Sequence, residues 1–161
     1  MVLRSPTKRP STAPVILMIG ADRDFLTDSV PTLIQAGYEV LTAGDSQEVR
    51  DLCELYPRPI HLVALDIPLE RHVSPEGLLP RQYGNKMVSM IRITRPRCPI
   101  LLMSATPAWK VSRYRLGASL WQLPFLQRPC TGQDVLQKVE SLLSTTPDSP
   151  VPSPTSMPQC A

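Results

Sequence analysis

Residues 61–69 read His61-Leu-Val-Ala-Leu-Asp-Ile-Pro-Leu69, an apolar run that meets a carboxylate at Asp66 and breaks at Pro68. Apolar residues at consecutive positions predict a strand buried on both faces, here Ile60 to Leu65, as in a parallel sheet covered by helices. Three further runs have the same character: Val15 to Ile19, Glu39 to Thr42 and Ile100 to Met103. Each is bounded by Gly, Pro or polar residues.

Between these runs the apolar period lengthens to that of a helix. Leu26, Val30, Leu33 and Ile34 share one face of a first helix closed by Gly37, and Pro31 inside it predicts a kink or a delayed start. A second helix opens at Asp45, where Asp45 and Glu48 have capping-box spacing, and turns Val49, Leu52 and Cys53 inward. Further helices are predicted over about Asn85 to Ile93, about Ala108 to Leu116, and Thr131 to Leu143. The order is strand then helix, repeated about five times, which predicts an α/β fold with right-handed crossovers. In such a sheet ligands gather at the carboxyl ends of the strands, which directs attention to Gly20 to Asp24, Asp66, Ser104 and the Arg128 region.

Composition narrows the function classes. The chain has 161 residues, 42% of them hydrophobic and 19% charged, which suits one domain with tails. Residues 145–161, TTPDSPVPSPTSMPQCA, hold five prolines and few large apolar side chains, so they are expected to be disordered, as are residues 1–13. The folded domain is then expected over 14–144. Of the formal charge of +3, Arg4, Lys8, Arg9 and Asp148 lie in those ends, which leaves +1 on residues 14–144. A nearly neutral fold lacks the basic stripe that nucleic-acid binding needs. The apolar runs are too short to span a bilayer, and a cytoplasmic location is expected. The four cysteines, Cys53, Cys98, Cys130 and Cys160, are widely spaced, which speaks against a metal or disulfide framework.

Asp66 either caps a turn after its strand or acts as a nucleophile at the sheet edge, where its carboxylate is expected to emerge. Ser104 ends the next strand, and Arg128, before Pro129, offers a positive charge. Together with their flanking residues these positions resemble the receiver domain of two-component response regulators over residues 14–144. His61 to Leu69 resembles the phosphoacceptor strand, with Asp66 at the phosphorylated aspartate. Pro99 to Ala105, PILLMSA, resembles the strand that carries a Ser or Thr, here Ser104. Phe125 to Leu136, FLQRPCTGQDVL, places Phe125 at the switch aromatic and Arg128 where the family has lysine. Gly37-Tyr-Glu-Val40 resembles the approach to the second strand. The resemblance implies a flavodoxin-like, doubly wound, five-stranded parallel sheet, and a cis Arg128–Pro129 peptide. It also implies that Ser104 and Arg128 hold phosphoryl oxygens and that Phe125 reports the change.

The chain departs from that family where the acidic pair after the first strand would hold Mg²⁺. Gly20 and Ala21 stand there, and neither offers a side-chain oxygen. Asp22 is the nearest candidate ligand, but Mg²⁺ tolerates little displacement from octahedral geometry, so weak or no metal binding is expected. Arginine for lysine exchanges a compact ammonium for a planar fork. Two insertions, around residues 70–80 and 120–124, enlarge the loops beside the acceptor and the last strand; the second carries Trp121, read as an anchor or a packing residue. Other phosphate and nucleotide motifs are missing: there is no G-x-G-x-x-G and no Walker A. His61 sits within a strand and is read as packing.

The resulting expectation is a non-enzymatic, receiver-like module that signals by protein contact with impaired Mg²⁺-dependent phosphorylation. The alternative is a working phosphorelay receiver with Asp66 as acceptor. The partners implied are a histidine kinase, a phosphotransfer protein or another signalling protein. Self-association would use the face running from the fourth strand to the fifth helix.

Overall fold

The computed structural model describes residues 2–3, 12–20, 23–67, 77–105 and 122–145. Six described strands form one sheet: β1 (Val2–Leu3), β2 (Val15–Ile19), β3 (Glu39–Ala43), β4 (Leu62–Ile67), β5 (Ile100–Ser104) and β6 (Phe125–Gln127). Their order is β1-β3-β2-β4-β5-β6. The pairs β3–β2, β2–β4, β4–β5 and β5–β6 are parallel, so the predicted five-stranded parallel sheet is present. Within the stretch expected to be disordered, Val2–Leu3 run antiparallel along β3, whose edge offers backbone groups for pairing.

Four described helices flank the sheet: α1 (Arg23–Gln35), α2 (Ser46–Leu55), α3 (Pro80–Thr94) and α4 (Gly132–Ser144). The two faces of the sheet divide the core by strand alternation. Val15, Leu17 and Ile19 pack with Val49 of α2 and with Met87 and Ile91 of α3. Ile16 and Met18 pack with Val30 and Leu33 of α1 and Val135 and Val139 of α4. Every residue of β2 is buried, as a strand between two helical layers requires.

The helix boundaries follow local chemistry. Asp45 caps α2 by accepting the Glu48 N–H at 2.8 Å, while the Glu48 carboxylate reaches past the cap to accept the Gly44 N–H at 2.7 Å. Pro31 does not delay α1, which begins at Arg23 and continues through it; the burial of Val30 and Leu33 against the sheet offsets one lost backbone hydrogen bond. Gly37, at φ 98°, ends that segment in the left-handed region. The helix expected from Asn85 starts five residues earlier. Pro80 needs no N–H partner in the first turn, and the Gln82 side chain accepts the Leu79 N–H at 3.1 Å. The helix expected over 108–116 lies outside the described residues.

At the amino ends of the strands a polar network closes the fold. Arg95 donates to the carbonyls of Cys53, Tyr56 and Arg58 at 2.9, 2.7 and 2.9 Å, capping the carboxyl end of α2. Buried Glu39 accepts from Tyr56 at 2.7 Å and from Arg58, which also donates to the Ala13 carbonyl at 2.8 Å. His61 Nδ1 accepts the Val15 N–H at 2.9 Å, so its role is structural and its imidazole neutral at that nitrogen.

Candidate functional site

Asp66 stands at the carboxyl end of β4, opposite Met103 of β5. Its carboxylate was expected to emerge at the rim, yet the residue is only 7% exposed. Strand β4 continues through Ile67, and a guanidinium covers the acid: Arg128 Nη1 donates to Asp66 Oδ2 at 2.8 Å. The two side chains are 18% and 8% exposed, so the pair sits where solvent screens it weakly.

Several elements place Arg128. Its backbone N–H donates to the Ser104 carbonyl at 2.8 Å, which extends the β5–β6 ladder past Gln127. The Arg128–Pro129 peptide is cis, as the resemblance implied. Beyond the proline, Thr131 caps α4 by accepting the Asp134 N–H at 3.1 Å, and Asp134 accepts the Thr131 N–H at 2.9 Å. Asp28 of α1 then accepts the Gly132 N–H, which fastens the arginine-bearing turn to the first helix. Asp28 is a residue that sequence reading missed, since no local motif joins positions 104 residues apart.

Gly20 follows β2 and abuts the acid directly. A Cβ at Gly20 would lie 3.1 Å from the Asp66 Cβ and 3.6 Å from Oδ2, so this position borders the carboxylate, as the resemblance placed it. Its N–H donates to the Ala43 carbonyl at 3.0 Å, which keeps the backbone in the sheet beyond β2. Ala21 and Asp22 lie outside the described residues. Asp24 is an exposed acid in the first turn of α1.

Ser104 is fully buried, pairs with Ile67 rather than Asp66 in register, and donates its hydroxyl to the Ile67 carbonyl at 3.3 Å. Phe125 pairs with Leu102 and is half-buried against the cluster under α2 and α3. Of the 70–80 insertion, residues 70–76 lie outside the described residues and Pro80 opens α3. Trp121 also lies outside them, while Leu123 packs on the core and the Pro124 carbonyl accepts the Leu102 N–H at 2.8 Å. Cys130, two residues past Arg128, is held above the usual thiol range by burial, an effect the Arg128 guanidinium opposes.

The fit to Mg²⁺ is poor among the described residues. Gly20 brings no oxygen, and the Asp66 oxygen beside it already accepts from a cation. No group of three or more potential ligands is assembled there or elsewhere in the described part. What the arrangement does offer is a carboxylate neutralised by a fixed guanidinium at the end of the central strands, with a hydroxyl one register row away. No described helix is long and apolar enough to cross a membrane.

No family model matches the chain, and no curated protein matches it in sequence. Solved structures do match in fold. A response regulator receiver protein from Sinorhizobium medicae is 22% identical with a TM-score of 0.62, covering 83% of this chain and 97% of that one. A CheY-like receiver domain protein from Methanospirillum hungatei is 18% identical with a TM-score of 0.59, covering 83% and 95%. A response regulator from Thermotoga maritima, solved in complex with Mg²⁺ and BeF, is 21% identical with a TM-score of 0.57, covering 81% and 99%. The strand order, the two helical layers and these likenesses together give the chain the flavodoxin-like fold of response regulator receiver domains.

Proposed function

We propose that this chain is a receiver-like signalling module that works through protein contacts, with Mg²⁺-dependent phosphorylation of Asp66 impaired. The observation that carries this reading is the Asp66–Arg128 pair beside Gly20. An anionic nucleophile needs cations to approach an anionic phosphoryl group, and a divalent ion supplies them best through several oxygens. Gly20 supplies none, and Arg128 already occupies the carboxylate oxygen that faces it. The module would therefore hold one surface and present it to a partner such as a histidine kinase, a phosphotransfer protein or another signalling protein, without catalysing a reaction.

Incubation with acetyl phosphate and Mg²⁺, followed by mass spectrometry, tests this reading. In the reaction at stake an Asp66 oxygen attacks phosphorus and acetate leaves, giving an acyl phosphate. The expected result is little or no base-labile adduct on Asp66. Acids restored at Gly20 and Ala21 are expected to raise labelling, and no rise would mean that the metal pocket does not lie there.

A second reading is favoured by the survival of Asp66 itself at the carboxyl end of β4. In that reading the chain is a phosphorelay receiver, with Ser104 and Arg128 holding phosphoryl oxygens and Phe125 reporting the change. Stoichiometric labelling of the native chain would establish it and overturn the first.

A further inference from the structure

Among the described residues three large apolar side chains are strongly exposed, Leu55 at 74%, Leu79 at 55% and Ile93 at 81%. All three belong to the layer of α2 and α3: Leu55 ends α2, Leu79 caps α3 and Ile93 lies in its last turn. Leu55 stands two places after buried Cys53 and Ile93 two places after buried Ile91, and two places turn a helix by about 200°. Each helix therefore buries one side in the core and holds an apolar residue out on the other. Arg95, which follows α3, donates to the Cys53 and Tyr56 carbonyls at the end of α2, so the two last turns sit side by side.

The charges of these neighbouring helices are opposite. Exposed Glu48, Asp51 and Glu54 outnumber Arg50 on α2. The sequence holds no Asp or Glu from Gly77 to Gln133, a span that includes all of α3, its exposed Arg92 and, just beyond it, exposed Arg97. The net +1 of residues 14–144 is therefore a cancellation between an acidic part and a basic part, not an even mixture. An acidic partner would suit α3 and be repelled by α2, and a basic partner the reverse. A second copy, turned about a two-fold axis that runs along the helices between them, suits both. It lays its α3 on this α2 and its α2 on this α3, as an isologous interface requires.

We propose that the outer face of α2 and α3 is a self-association surface, through which two copies of this chain form a symmetric dimer with Leu55 of each against Ile93 of the other and Glu54 of each facing Arg92 of the other. Exposed ion pairs are weak, so the apolar contacts supply the strength and the charges set the register. This is a different face from the one running from β5 to α4. Both last turns lie at the amino ends of the strands, away from Asp66, so the dimer does not depend on phosphorylation.

Sedimentation velocity of the full native chain over a concentration series is expected to show a monomer–dimer equilibrium, which Ile93→Asp weakens by about tenfold or more. Glu54→Arg and Arg92→Glu, each alone, bring like charges together across the axis and are expected to stay monomeric. Mixed one to one they are expected to form a heterodimer, because each supplies the sign that the other lacks. A measurement on the native chain needs no substitution: amide exchange is expected to slow over residues 46–55 and 80–94 as concentration rises, and to stay unchanged over 132–144. A native chain that is monomeric at every concentration up to ~1 mM overturns the proposal. So does a dimer that Ile93→Asp leaves intact, a mixture of the two charge variants that does not associate, or protection that rises over 125–144 instead, which would assign the dimer to the β5-to-α4 face.

Discussion

The Arg128 guanidinium and the Asp66 carboxylate, 62 residues apart in the chain, meet at 2.8 Å in a setting where both side chains are largely covered. Removing one member of such a pair costs more than the pair contributes, because the remaining charge stays buried. Arg128→Ala is expected to destabilise the fold by on the order of 3 kcal/mol. Asp66→Asn, which leaves the more exposed member behind, is expected to cost less. Urea denaturation of both single variants and the double variant checks this, and additive losses would show that the two groups do not interact.

Gly132 stands at the first turn of α4 against Asp28 and Thr32 of α1. A Cβ there would meet Thr32 Oγ1 at 2.5 Å and the Asp28 carbonyl at 2.9 Å. Alanine usually stabilises a helical position relative to glycine, but here overpacking wins. Gly132→Ala is expected to lose about 1–3 kcal/mol, measured by thermal or urea unfolding. A gain in stability would mean that the helices stand further apart.

Burial, with the Arg58 guanidinium as a second cause, lowers the His61 pKa below its usual 6.5. Between that lowered value and about 6.5 the unfolded chain binds more protons than the folded one, so stability rises with pH across the window. The contribution is complete above about pH 6.5 and is lost as pH falls through the window. His61→Gln is expected to flatten this part of the stability profile, followed by urea midpoints at several pH values. An unchanged profile would assign the slope to another group.

Arg95 holds three carbonyls at the end of α2, a geometry that only a planar fork of donors supplies. Arg95→Lys is expected to cost on the order of 1–3 kcal/mol. Amide exchange is expected to accelerate near Tyr56 before it does in β2, since the substitution frees one helix end and leaves the sheet intact. Uniform acceleration would indicate global rather than local opening.

Burial pushes the Cys98 thiol up to about 12 and raises Cys53 as well. The thiolate is the reactive form. Both residues are expected to resist alkylation in the folded chain at neutral pH and to react once urea unfolds it. Mass spectrometry after iodoacetamide treatment reads the difference.

Much of this fold is legible along the chain. The consecutive apolar residues of Val15–Ile19 and Leu62–Leu65, with the Asp45 cap and the start of the last helix near Thr131, rest on interactions within about four residues. Pro80 was harder to read as a helix start because the turn before it has no Ser, Thr, Asp or Asn cap; the Gln82 side chain serves instead. Asp66, Gly20 and Arg128 could be named from their flanking residues, and the structure brings these three together. Ser104 is placed one register row along, beside Ile67.

The alternation of buried runs and amphipathic helices, read from the chain alone, determined a wound α/β sheet and put an acid at the end of its central strand. Tertiary structure alone decided that Arg128 covers that acid, that Asp28 fastens the turn beyond it, and that residues 2–3 lie against β3. The physical reason is range. Period and capping depend on neighbours a few residues away, whereas these contacts depend on strand order and register, which are set when the whole apolar core is buried at once.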